Sequence, residues 1–148
     1  MNTPYCRQIH YYETDKMGIA HHSNHIRWLE EARLDYMKKR GISYVHLETC
    51  HILMPVVSVS CEYKKAVKFD DEITVEAVLS FFNGVRAKYE YRIYTAEARN
   101  LVAVGASEHC FIDEITRKPV SLKRAVPEYY YRMMQVAEDD KSRRKGNQ

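Results

Sequence analysis

The chain has 148 residues, is 45% apolar and 29% charged, and carries a formal net charge of +3. That length suits one domain able to bury its own core. The charge is too weak to indicate a nucleic-acid partner, though it is compatible with a phosphorylated small ligand. No stretch has the apolar run of a signal peptide or a membrane span, so no membrane partner is expected. Cys6, Cys50, Cys61 and Cys110 form no CxxC pair, and reduced thiols in the cytoplasm are expected rather than a disulfide framework.

Residues 5–11 alternate apolar and polar positions and read as a first strand. A polar loop follows, holding Glu13, Asp15, Gly18, His21, His22, Asn24 and His25. Gly18 suits a close turn or a near approach of backbone to ligand. Ser23 or Asn24 is the expected N-cap of a long helix, because a short side-chain oxygen can accept the free amides of the first turn. Ile26, Leu29, Ala32, Tyr36 and Met37 make its apolar stripe, with Trp28 beside it. Lys38, Lys39 and Arg40 suit the negative end of the helix dipole, and Gly41 terminates it.

Residues 44–50 carry no clear period. Residues 52–63 read as a strand made irregular by Pro55, with Val57, Val59, Cys61 and Tyr63 on one face. Residues 72–82 place Ile73, Val75, Ala77, Leu79 and Phe81 together, and Asn83-Gly84 signals a hairpin. Residues 85–95 put Val85, Ala87, Tyr89, Tyr91 and Ile93 on one face. Residues 101–112 start apolar on both faces, as a central strand does. Pro127 opens a helix expected to end near Val136, and the charged segment 138–148 reads as a frayed tail. One domain over 1–137 and an α+β class, a long helix packed on a curved antiparallel sheet, are expected.

The chemistry concentrates before the helix. An ionised Asp15 beside an acyl carbonyl could attack it or take a proton from water. The amides at the helix start, around His22, could then bind the oxyanion. An Asp in this place is also a common turn or capping residue. His21 and His25, or His22 and His25, could join Asp15 or Glu13 around zinc or iron, but they straddle a loop-to-helix junction where helical spacing fails. None of the four cysteines has a nucleophile's context, and there is no glycine-rich phosphate loop.

The segment Tyr12-Glu13-Thr14-Asp15-Lys16-Met17-Gly18-Ile19-Ala20-His21-His22-Ser23-Asn24-His25, with Trp28-Leu29-Glu30-Glu31-Ala32-Arg33, closely resembles the acyl-CoA thioesterases of the 4-hydroxybenzoyl-CoA thioesterase family. Tyr63 to Ile73 resembles that family's sheet segment after the helix. The resemblance implies the hotdog fold and hydrolysis of an acyl-CoA thioester, with Asp15 as the catalytic carboxylate. The backbone amide at His22 would polarise the carbonyl. It further implies a substrate site lined by Gly18, Ile19, His25, Val57, Ser58 and Val59. No metal and no organic cofactor are implied. A homodimer with joined sheets, paired again into a homotetramer, is implied as well. A hydratase or dehydratase acting on acyl thioesters, and a non-catalytic module binding acyl-CoA or acyl-carrier protein, are the competing readings.

Overall fold

The structure, a computed structural model, describes residues 3–146. Strand β1 (Tyr5–Gln8) leads through a single 3-10 turn (Tyr11–Glu13) and a short hairpin into helix α1 (His22–Lys39). A short helix α2 (Tyr44–Thr49) follows, then β2 (Ile52–Leu53), β3 (Val56–Tyr63), β4 (Glu72–Phe82), β5 (Arg86–Thr95), β6 (Leu101–Cys110) and β7 (Ile112–Asp113). Helices α3 (Leu122–Ala125) and α4 (Pro127–Gly146) complete the chain. The main sheet has the order β1-β4-β5-β6-β3, and every pairing is antiparallel. A separate two-stranded ladder joins β2 to β7.

The expected strand over 52–63 is two strands. Proline has no amide to offer a ladder, and the break at Pro55 lets β2 pair with β7 while β3 pairs with β6. The 44–50 segment, silent in sequence, is helical because Ser43 accepts the His46 amide as its N-cap. Along β4 the alternation holds as far as Leu79. A bulge between Leu79 and Phe81 then turns the strand over, so Phe82 is buried and Phe81 is exposed, the reverse of the expectation.

Helix α1 lies across the sheet and buries Trp28, Leu29, Ala32, Tyr36 and Met37. The stripe is broader than its apolar residues imply, since Arg33 is buried with them. The helix comes close to β6, where a Cβ on Gly105 would stand 2.8 Å from Leu29 Cδ1 and 2.9 Å from the Ser60 carbonyl oxygen. That glycine is therefore required by contact, not by backbone conformation.

Helix α4 begins at Pro127, as expected, but runs to Gly146 instead of stopping near Val136. The expected frayed tail is thus helical as far as the described residues reach, with residues 147 and 148 beyond them. The physical reason is a carboxylate in its middle. Asp140 is buried and accepts from the Tyr36 hydroxyl, the Arg40 guanidinium and, at 3.1 Å, the Leu79 amide of β4. Charge patterning marked the segment as solvated; its one buried carboxylate ties it to α1 and β4.

Candidate active site

The hairpin before α1 is built from its own amides. Gly18 donates to the Asp15 carbonyl at 2.9 Å and takes φ +78°, a conformation that glycine adopts freely. The Asp15 amide returns to the Ile19 carbonyl at 3.0 Å, and Thr14 bridges Ala20. The outer arm docks on the segment after β3, with Ala20 donating to Val67 at 2.7 Å and Ile19 bridging Lys68.

Glu13 anchors this hairpin. Its carboxylate, almost wholly buried, accepts from Arg7 at 2.7 Å, from the His10 amide at 2.8 Å and from the Trp28 indole at 2.8 Å. Its carbonyl accepts the His21 amide and the Asn24 side-chain amide, both at 2.8 Å. One residue therefore ties the loop to β1, to the helix start and to the second turn of α1. Arg7 also pairs with Glu31 at 2.9 Å, which extends the network along the helix. From sequence Glu13 is a polar candidate and a possible metal ligand, not an anchor of the loop. The signal available was a carboxylate directly after two tyrosines, in a segment that then turns at Gly18.

The N-cap is His21, not Ser23 or Asn24. Its Nδ1 accepts the Ser23 amide at 3.2 Å, while Asn24 is drawn off to Glu13. His22 is then the first helical residue, and its amide donates to no group among the described residues. The Asp15 carboxylate is partly exposed, and one of its oxygens accepts the Met17 amide at 2.8 Å. No ion pair with Asp15 occurs among the described residues. A carboxylate on the first arm of the hairpin is thus followed by an unused amide where the second arm enters the helix.

His25 lies one turn into the helix, buried between Trp28 (ring centroids 4.5 Å apart) and Tyr63 (4.8 Å). Burial lowers its pKa, so the neutral ring is favoured. Tyr63, at the end of β3, donates its hydroxyl to the His22 carbonyl at 2.7 Å and clamps the helix start from the sheet side. Nothing in the sequence pattern pointed to that contact. His22 and His25 thus lie in the first turn of α1, while Asp15, Gly18 and Ile19 lie on the hairpin that precedes it. Val57, Ser58 and Val59 lie further along β3, about 13–20 Å from Tyr63 at the usual strand rise. Val57 and Val59 are half exposed, and Ser58 donates to Glu108 at 3.1 Å. Among the described residues no three His, Cys, Asp or Glu side chains converge in a metal-holding group. No helix there is long and apolar enough to cross a membrane.

Residues 9–129 match the family model described as the Thioesterase-like superfamily. A Bacillus subtilis protein, YneP, provisionally named an acyl-CoA thioesterase, is 32% identical over 123 residues, covering 83% of this chain and 88% of its own. An Escherichia coli protein named acyl-CoA thioester hydrolase YbgC is 23% identical over 129 residues, 85% of this chain and 96% of that one. The crystal structure of a DHNA-CoA thioesterase from Staphylococcus aureus superposes with a TM-score of 0.86 at 34% identity, covering 90% of this chain and 89% of that one. The chain belongs to the Thioesterase-like superfamily and is a hotdog-fold thioesterase. The long helix wrapped by a curved antiparallel sheet, expected from its sequence, is that fold.

Proposed function

We propose that the protein hydrolyses acyl-CoA thioesters to the free carboxylic acid and CoA, with Asp15 as nucleophile or general base and the His22 amide polarising the thioester carbonyl. The observation that supports this reading is a carboxylate with no cation partner among the described residues, on the hairpin that leads directly into a helix whose first amide is unused. In the general-base route Asp15 takes a proton from water as its oxygen adds to the carbonyl carbon. The tetrahedral oxyanion is held by the His22 amide and the positive end of the α1 dipole. Its collapse breaks the carbon–sulfur bond, and the CoA thiolate leaves and is protonated. In the nucleophilic route the Asp15 oxygen adds first, the tetrahedral intermediate expels CoA thiolate to leave a mixed anhydride on Asp15, and water then cleaves the anhydride to the acid and the free carboxylate.

Gly18 and Ile19 would flank the thioester and His25 would line its site. The acyl group would then run along α1 towards Val57, Ser58 and Val59. A second copy of the chain, joined through β3, would close the open side of that channel. This fits the half-exposed Val57 and Val59 on a long edge strand. Pairing of two such dimers into a tetramer, and a cytoplasmic setting for four unbridged cysteines, complete the proposal.

The test is thiol release from a panel of acyl-CoAs by wild type and by Asp15→Asn. The variant should lose on the order of 100- to 10,000-fold in kcat. Undiminished release in Asp15→Asn would remove Asp15 from the mechanism. A change in enoyl absorbance without thiol release would instead identify a hydratase.

A further inference from the structure

Behind the middle of α1 a line of polar side chains crosses the interior. Arg33 Nη1 stands 3.4 Å from the Tyr91 hydroxyl, which is 2.6 Å from Ser107 Oγ, which is 2.8 Å from His109 Nε2. All four residues are more than nine-tenths buried. Arg33 Nε, His109 Nδ1 and the neighbouring Tyr89 hydroxyl have no hydrogen-bond partner among the described residues. No carboxylate pairs with Arg33 among the described residues. A buried cation with no counter-charge and three unsatisfied polar atoms are costly to keep unless something completes them.

The position of the line says what could. His25 touches Tyr63 at one end of β3, and one turn on Leu29 meets Gly105 beside the Ser60 carbonyl, so the helix runs opposite to that strand. The eight residues from His25 to Arg33 advance about 12 Å, and the four from Tyr63 back to Val59 about 13 Å. Arg33 therefore lies level with Val59, whose register partner on β6 is Ser107. The polar line thus stands at the far end of the channel proposed for the acyl group. From His22 to Arg33 the helix rises roughly 16 Å. An arginine side chain leans back towards the helix start, leaving its guanidinium about 10 Å from the thioester carbonyl.

We infer that Arg33, with Tyr91, Ser107 and His109, reads an acceptor oxygen on the distal part of the acyl group, about 10 Å from the thioester. The preferred substrate is then an acyl-CoA oxygenated far from its carbonyl. This rests on the thioesterase reading and on the channel it places along α1. Tyr91, Ser107 and His109 orient Arg33 and are positioning residues unless the oxygen reaches them directly.

The test uses matched pairs of acyl-CoAs, octanoyl with 8-hydroxyoctanoyl and butyryl with 4-hydroxybutyryl. Binding to the full-length Asp15→Asn variant is measured by calorimetry, and turnover with wild type. The long hydroxylated member should bind on the order of 10- to 100-fold tighter than its parent, and the short pair should differ by no more than about three-fold. Adding Arg33→Met or Ser107→Ala should collapse the long-pair ratio to within about three-fold. Ser107→Ala, the smaller change, carries the test should Arg33→Met not fold. Equal binding of the long pair, or a preference kept in Ser107→Ala and any folded Arg33→Met, overturns the inference. Hydrolysis of plain acyl-CoAs without distal preference defeats this inference alone, whereas absence of thiol release from every acyl-CoA defeats the activity itself.

Discussion

Glu13 and Trp28 meet through a hydrogen bond of 2.8 Å from the indole N–H to a buried carboxylate oxygen. The contact joins the loop before the hairpin to the second turn of α1, and the other Glu13 oxygen is taken by Arg7 and the His10 amide. Both oxygens accept, so a side chain with one acceptor and one donor cannot satisfy the site. Glu13→Gln should lose about 2–3 kcal/mol of stability. It should also lower kcat by roughly ten-fold or more, because the hairpin that spaces Asp15 from His22 shifts. Thermal denaturation and steady-state kinetics measure the two effects. A variant with wild-type values in both would show that the hairpin holds itself.

Asp140 sits in the segment whose composition looked solvated. Asp140→Ala removes the acceptor for the Tyr36 hydroxyl and the nearer of two acceptors for the Leu79 amide, and takes from Arg40 the carboxylate it meets there. A loss of about 3–5 kcal/mol is expected, the usual cost of breaking a buried pair from one side. Denaturant unfolding reads it. A loss below about 1 kcal/mol would mean that α4 does not depend on this contact.

His109 has its pKa pulled down to about 4 by burial and by the Arg33 charge. The unfolded chain takes up this proton near pH 6.5, so between those values the unfolded state binds more protons than the folded one. Stability from this group is complete above about pH 6.5 and declines as pH falls towards 4. The total is about 3 kcal/mol. His25, also lowered by burial, adds a slope of the same sign. Denaturation midpoints followed from pH 8 to pH 4 should flatten in His109→Phe. An unchanged slope in that variant would remove His109 as the cause.

The half-exposed Val57 and Val59 on β3 give the dimer its test. Val59→Arg places a charge where the second copy would cover the strand. Light scattering behind size exclusion should show wild type at twice the chain mass or a multiple of it, and Val59→Arg at the chain mass. A monomeric wild type, or a variant that stays assembled, would count against joining through β3.

Much of the fold was readable because its signals were local. The α1 stripe, the alternation of β4 and β5 and the Asn83-Gly84 turn each lie within a short window. What escaped depended on partners far along the chain. Asp140 is buried by Tyr36 and Leu79, Arg33 by Tyr91, and the Phe81 reversal by a bulge whose cause no alternation count contains. At the site, the Asp15 and His22 positions came from motif and family likeness. Glu13 and Tyr63 were missed because their work is done through a carbonyl, an indole and a distant helix terminus.

The Leu79 amide matters beyond its contribution to folding. β1 is short, pairing with β4 only as far as Val75, and beyond it the outer side of β4 would offer donors to any passing strand. Asp140 occupies one of them and α4 lies against that margin. The sheet consequently has one long margin available for growth, on β3, and joining two copies there consumes it on both. Under the proposed pairing through β3, strand-by-strand addition on that margin would terminate at two, which disfavours growth into open-ended fibres.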